Sequence, residues 1–69
     1  MKMEIKGPFI RLDQLLKLAN MVSTGGEAKF RIEEGEVQVN GEVCFQRGRK
    51  IKENDVVCLN GETIEITFV

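Results

Sequence analysis

The stretch TGGEAKFRIEEGEVQVNG, residues 24–41, changes its hydrophobic period at a single glycine. Before Gly35 the apolar residues Ala28 and Ile32 stand four apart and share one face of a helix, while Phe30 lies on the other side. Thr24 followed three residues later by Glu27 has the form of a capping box, which satisfies backbone N–H groups that a helix start leaves free. Gly35 stops the helix because a residue without Cβ enters the left-handed region at no steric cost. After it, Val37 and Val39 alternate with Glu36 and Gln38, the period of a strand with one covered face. Asn40-Gly41 then supplies the pair that a type I′ turn takes at its two positive-φ positions. A helix from Thr24 to about Glu34, leading directly into a β-hairpin, is the expectation.

Upstream, Leu12, Leu15, Leu16 and Ala19 fall at i, i+3, i+4 and i+7, which gathers them on one stripe of a first helix from Ile10 to about Met21. Ser23-Thr24-Gly25-Gly26 is turn chemistry between the two helices. Met3 to Lys6 makes a short first strand that Gly7-Pro8 breaks, since proline fixes its own φ and disfavours helix at the residue before it. Downstream, Glu42 to Phe45 returns as the hairpin partner, a polar stretch runs from Gln46 to Asn54, and Asp55 to Leu59 reads as a strand. Asn60-Gly61 is a second tight turn, and Glu62 to Val69 a last strand with Ile64, Ile66 and Phe68 on one face. Helices and strands segregated in this way make an α+β fold, two short helices packed on a small antiparallel sheet with β-hairpins. Residues 1–69 form one domain, with Phe9, Phe45 and Phe68 in core positions and Phe30 packed against the first strand.

With 69 residues the core is thin, because a domain of about 60 residues buries only about 60% of the surface its unfolded chain exposes. Enclosing a substrate takes a cleft of roughly 300–1,000 Å³, more than such a core frames. There is no histidine, no serine beside an activating base and no Cys-x-x-Cys, so nucleophilic, acid–base and metal chemistry lack their usual parts. No catalytic residue, metal or cofactor is expected. Cys44 and Cys58 lie in runs with strand character and read as buried thiols in a reducing cytosol. Nothing approaches the stretch of about 18 apolar residues that a membrane helix needs, and the first residues alternate charged with apolar side chains, unlike a signal peptide. A cytoplasmic, monomeric protein without membrane contact follows, with Met1 and Val69 read as the ends of a stand-alone chain.

The net charge of −1 averages over blocks of opposite sign. Residues 1–32 carry six bases and three acids, 33–46 four acids and no base, 47–52 four bases, and 53–69 four acids. Two basic blocks folded together make one positive face with a negative back, which suits a phosphate backbone despite the average.

Arg11-Leu12-Asp13, Ala28-Lys29, Gly35-Glu36-Val37-Gln38-Val39-Asn40-Gly41 and Asp55-Val56-Val57 follow one another in a particular order and spacing. On these strings the chain from Ile10 to Val57 resembles the S4 RNA-binding domain family. Gly25-Gly26-Glu27-Ala28-Lys29 and Arg47-Gly48-Arg49-Lys50 resemble in particular its stand-alone YaaA/YbcJ-type bacterial branch. Each string alone is a weak signal, and the ordered combination carries the likeness. Two positions depart from the pattern: Gly25-Gly26 stands where many S4 domains carry Ser-Arg, and Arg31 where an apolar residue is usual. The resemblance implies an S4-like αL motif, two helices and the following hairpin shaped as an L that reads structured RNA, often ribosomal, without catalysis.

The loop Arg47-Gly48-Arg49-Lys50 is the first candidate for binding, because each guanidinium fork bonds two phosphate oxygens and the glycine lets the backbone approach. A solvated charge run is the plainer alternative. Lys29 and Arg31 flank the packed face of helix 2, and Arg11 stands near the start of helix 1, again with a solvated rim as the competing reading. Lys17 follows Asp13 by four residues, so a surface ion pair competes with RNA contact. Thr24, Gly25 and Gly26 bring backbone N–H groups to a helix start, which suits an anion, while Thr24 also serves as a simple cap. An exposed Phe30 would stack on an unpaired base, in place of the packing assigned to it above. Structured RNA, ribosomal or transfer, is the expected partner. The alternative is a protein-interaction module without RNA affinity, which the pI near 5.4 favours.

Overall fold

The chain is described over residues 1–69 by a computed structural model. Its elements are β1 (Lys2–Ile5), β2 (Ile10–Arg11), α1 (Leu12–Leu18), α2 (Gly25–Glu33), β3 (Val37–Val39), β4 (Glu42–Val43), β5 (Lys50–Ile51), β6 (Val56–Leu59) and β7 (Glu62–Phe68). Gly35 turns to φ +78 while its N–H still bonds the Ile32 carbonyl at 3.1 Å, and the chain leaves α2 as β3. Thr24 caps α2 as its spacing predicts, accepting the Glu27 N–H on Oγ1 at 3.0 Å. Glu27 returns the bond one residue earlier than a standard capping box, accepting the Ser23 N–H at 2.7 Å.

The α+β expectation holds, with a five-stranded sheet in the order β1-β7-β6-β3-β4. Asn40 and Gly41 have φ of 53 and 84, Asn60 and Gly61 of 52 and 80, positive at both central positions as a type I′ turn demands. These turns join antiparallel pairs, β3 with β4 and β6 with β7, and β6 also runs antiparallel to β3. The sheet is nevertheless mixed, correcting the antiparallel reading: β1 lies parallel to β7, with Ile5 beside Phe68. A period of two shows which face of a strand is covered and carries no information about direction.

Helix 1 is shorter than the predicted Ile10–Met21. Ile10 and Arg11 form β2, which pairs antiparallel with β5 as a separate two-stranded ribbon. β5 lies within the stretch Gln46–Asn54 that reads as merely polar, and its Ile51 is fully buried. Strands of two residues are too short to register as a period. At the other end Asn20, at φ 59, turns the chain out of α1.

The core is a single apolar cluster in which Leu12, Leu15 and Leu16 of α1 and Ala28 and Ile32 of α2 join Val37, Val39, Val57, Ile64 and Ile66 of the sheet. Phe68 packs against it. Phe9, Phe30 and Phe45 stand 41%, 58% and 62% exposed, so the core positions expected for Phe9 and Phe45, and the packing of Phe30 on the first strand, are corrected. The aliphatic side chains fill the small interior, and β4 ends at Val43, before Phe45 is drawn into the sheet. Cys44 is buried as expected, whereas Cys58, on the less covered face of β6, is only half-buried; both are free thiols. No helix is long and apolar enough to cross a membrane.

Candidate nucleic-acid interface

The first turn of α1 needs acceptors for its free N–H groups, and Arg11 at the N-cap offers no side-chain bond. The basic loop fills this role with its backbone. Leu12 N–H donates to the Arg49 carbonyl at 2.9 Å and Asp13 N–H to the Arg47 carbonyl at 3.0 Å. A turn closed by the Arg49 N–H on the Gln46 carbonyl at 3.2 Å shapes the loop itself. The β2–β5 register then sets Arg11 opposite Lys50. Arg11 and the distant run Arg47, Arg49 and Lys50 are therefore brought to one end of α1.

Beside them lies an open depression of about 570 Å³ lined by Gln46, Gly48, Arg49, Lys50, Lys52 and Asp55, with no hydrophobic side chain. A side chain at Gly48 would meet nothing within 4 Å, so the backbone is bare on that side. Such a surface suits a hydrated anion better than an apolar ligand. Lys52 joins the site although only its place in the 47–52 basic block marked it beforehand. The connection from β5 to β6 is tied down by Asp55, which accepts the Lys52 N–H at 2.8 Å and the Asn40 amide at 3.0 Å. Asn40 in turn accepts the Val56 N–H at 2.9 Å. The Asn of the hairpin turn thus holds the basic end in register with the sheet.

The remaining candidates are separated by their ion pairs. Asp13 pairs with Arg11 at 3.0 Å and not with Lys17, so the ion pair that competed with RNA contact does not form; Lys17 is exposed and makes no salt bridge. It lines a second shallow hollow with Gln14, Leu18 and Asn20. Lys29 is likewise exposed and unpaired. Arg31 sits between Glu36 at 2.8 Å and Glu27 at 3.5 Å. The hydrogen bond to Glu36, and then the negative charges of Glu36 and Glu27, raise its pKa above the ordinary arginine value. Its charge is spent inside the protein. At the start of α2 the Thr24 hydroxyl is occupied by the cap, while Gly25 and Gly26 remain exposed.

An apolar core and a group of exposed cations held at one end of α1 by backbone hydrogen bonds make a small domain with one basic face. The S4 domain model matches residues 3–67, and the chain belongs to the S4 domain family. RNA binding without catalysis is the general function of this domain. The chain is 48% identical over 52 residues to RlbA of Bacillus subtilis strain 168, named as a probable ribosome maturation protein, covering 75% of this chain and 73% of that one. It is 34% identical over 61 residues to YbcJ of Escherichia coli strain K12, covering 88% and 87%. The solution structure of E. coli YbcJ, described as revealing an αL motif involved in RNA binding, superposes with a TM-score of 0.69 at 30% identity over 93% of this chain and 85% of that one. Heat Shock Protein 15 of Vibrio cholerae, a trimeric structure, gives a TM-score of 0.75 at 25% identity over 88% of this chain, which spans 65% of that protein.

Proposed function

We propose that the chain binds structured RNA, ribosomal RNA before transfer RNA, through a basic face formed by α1, α2 and the Arg47–Lys50 loop. The docking of the loop carbonyls on the first turn of α1 supports this reading most, because it holds Arg47, Arg49 and Lys50 beside Arg11 while none of the three is tied up in a salt bridge. A fixed backbone lowers the ordering cost of binding. Lys17 and Lys29 extend the face along the helices, and Gly25 and Gly26 add N–H groups at the start of α2. Arg31 contributes least, since Glu27 and Glu36 neutralise it. The name carried by the Bacillus relative favours the ribosomal class, and the setting is a cytoplasmic monomer.

Fluorescence anisotropy against a ribosomal RNA fragment and a transfer RNA tests the reading. If about four phosphates are neutralised, affinity falls on the order of a hundredfold between about 50 and 200 mM salt. Absent or salt-indifferent binding to both RNAs sinks it. A protein partner is favoured by one observation, the exposed Val43 and Phe45 near the acidic Glu42. Affinity for a protein would fall much less steeply with salt.

A further inference from the structure

The β2–β5 ribbon has two unlike faces. Ile10 and Ile51 are cross-strand partners, Ile51 fully buried and Ile10 packed against the core. Side chains alternate across a strand, so Phe9 and Arg11 from one side and Lys50 and Lys52 from the other share the outer face, and all four are exposed. Arg11 stands opposite Lys50, and Phe9 and Lys52 adjoin the paired residues at the other end of the ribbon. The Lys50 ammonium rests over the Phe9 ring, 4.8 Å from its centroid.

A phenyl ring 41% exposed thus projects from a face whose other three members are cations. Arg11 shares its charge with Asp13 at 3.0 Å, while Lys50 and Lys52 make no salt bridge. Asp55, the acid lining the neighbouring depression, has both carboxylate oxygens occupied by the Lys52 N–H and the Asn40 amide. An occupant that satisfies the whole face needs a flat unsaturated ring for Phe9 and anionic groups on either side of it for the cations. A nucleotide with its base out of the stack has that form, and stacking on aromatic rings within a basic track is how single-stranded nucleic acid is held.

We propose that Phe9 is a stacking platform for one unpaired base of the bound RNA, with Arg11, Lys50 and Lys52 taking the flanking phosphates. This rests on the RNA reading above and narrows its ligand to structured RNA bearing a bulged or unstacked nucleotide next to a helix. In the free protein the Lys50 ammonium lies over the ring by cation–π attraction. On binding, the base takes that place and the ammonium turns to a phosphate. The depression lined by Arg49, Lys50 and Lys52 continues the track away from the ring. A fully paired duplex has no free base to offer and meets only the cations.

Two RNA duplexes of one sequence test this, one fully paired and one with a single bulged 2-aminopurine, whose fluorescence is quenched on stacking. The parent protein should quench the probe and bind the bulged duplex on the order of tenfold more tightly than the paired one, the scale of one base–aromatic stack. Phe9→Leu, which keeps an apolar side chain against the ribbon, should lose the quenching and bring the bulged duplex down to the affinity of the paired one. Phe9→Trp should keep both effects, and circular dichroism checks that each variant is folded. If Phe9→Leu still quenches and discriminates, or if the parent binds both duplexes alike without quenching, the platform is wrong while RNA binding stands. If the parent binds neither duplex, the platform is wrong, and the ribosomal and transfer RNAs decide separately whether the RNA reading stands.

Discussion

Phe9 and Phe45 are both exposed phenyl rings, yet their surroundings carry opposite charge. Phe9 shares the outer ribbon face with Arg11, Lys50 and Lys52. Phe45, only two residues before Arg47, lies instead over Gly35 at the end of α2, where a Cβ on the glycine would come 3.2 Å from the ring. The chain around that corner supplies Glu33, Glu34, Glu36 and Glu42, and the C-terminus of a helix adds negative potential. On the proposed reading, one ring suits a partner that carries phosphate and the acids around the other disfavour it. An exposed aromatic is therefore not a nucleic-acid signal by itself; the charges gathered around it by the fold make it one.

The largest expected effect comes from stripping the cations on the Phe9 side. Replacing Arg47, Arg49 and Lys50 together by alanine should weaken RNA binding on the order of a hundredfold at low salt and remove about two to three units of salt slope. The fold should persist, because the bonds that cap α1 come from the carbonyls of Arg47 and Arg49 and survive truncation of their side chains. A folded triple variant with the parent's affinity and slope would erase the distinction between the two ends of the molecule.

The tie between the basic end and the sheet is examined by comparing the two Asn-Gly turns. Asn40 bonds to Asp55 and to the Val56 N–H, whereas Asn60 makes no side-chain hydrogen bond of this kind. Asn40→Ala should cost about 1–3 kcal/mol more than Asn60→Ala, from the two lost bonds, which leave the Val56 N–H and an Asp55 oxygen without this partner. Thermal or urea unfolding measures the difference, and equal losses would mean that the Asn40–Asp55 clamp adds nothing.

At the acidic corner, Gly35→Ala forces a Cβ into positive φ and towards the Phe45 ring. A loss of about 1–2 kcal/mol in unfolding free energy is expected, with the salt slope for RNA unchanged. A loss of RNA affinity in the folded variant would place the corner within the RNA footprint. The smallest effect belongs to Phe45→Leu, which should alter RNA affinity by less than about twofold, against roughly tenfold for Phe9→Leu on the bulged duplex. Equal losses from the two substitutions would show that electrostatic setting does not decide which ring reads RNA.

Much of the candidate site is legible before folding is considered, because the basic loop, Arg11, Lys17 and Lys29 are visible as cations in a chain whose acids fall in other blocks. What escapes is the ribbon. Phe9-Ile10-Arg11 and Lys50-Ile51-Lys52 both alternate outward and inward, but three residues adjoining a clear helical stripe are absorbed into it, and three within a polar stretch are taken for loop. The partners of Asp13 and Arg31 escape for a related reason. An i,i+4 spacing pairs Asp13 with Lys17 only if no nearer cation competes, and Arg11, in extended conformation at the helix start, reaches the carboxylate first.

The elements whose causes act within a few residues can be read straight from the chain. These are the Thr24 cap, the stop at Gly35, the two type I′ turns at Asn40-Gly41 and Asn60-Gly61, and the covered faces carried by Ala28 and Ile32, Val37 and Val39, and Ile64 and Ile66. Each follows from a local φ requirement or from a period. The parallel course of β1 beside β7, the pairing of residues 10–11 with 50–51, the exposure of Phe9 and Phe45, and the assembly of Arg11 with Arg47, Arg49, Lys50 and Lys52 come from folding as a whole. Those depend on contacts between segments some forty to sixty residues apart in the chain, where no local preference reaches and the packing of one shared core selects the arrangement.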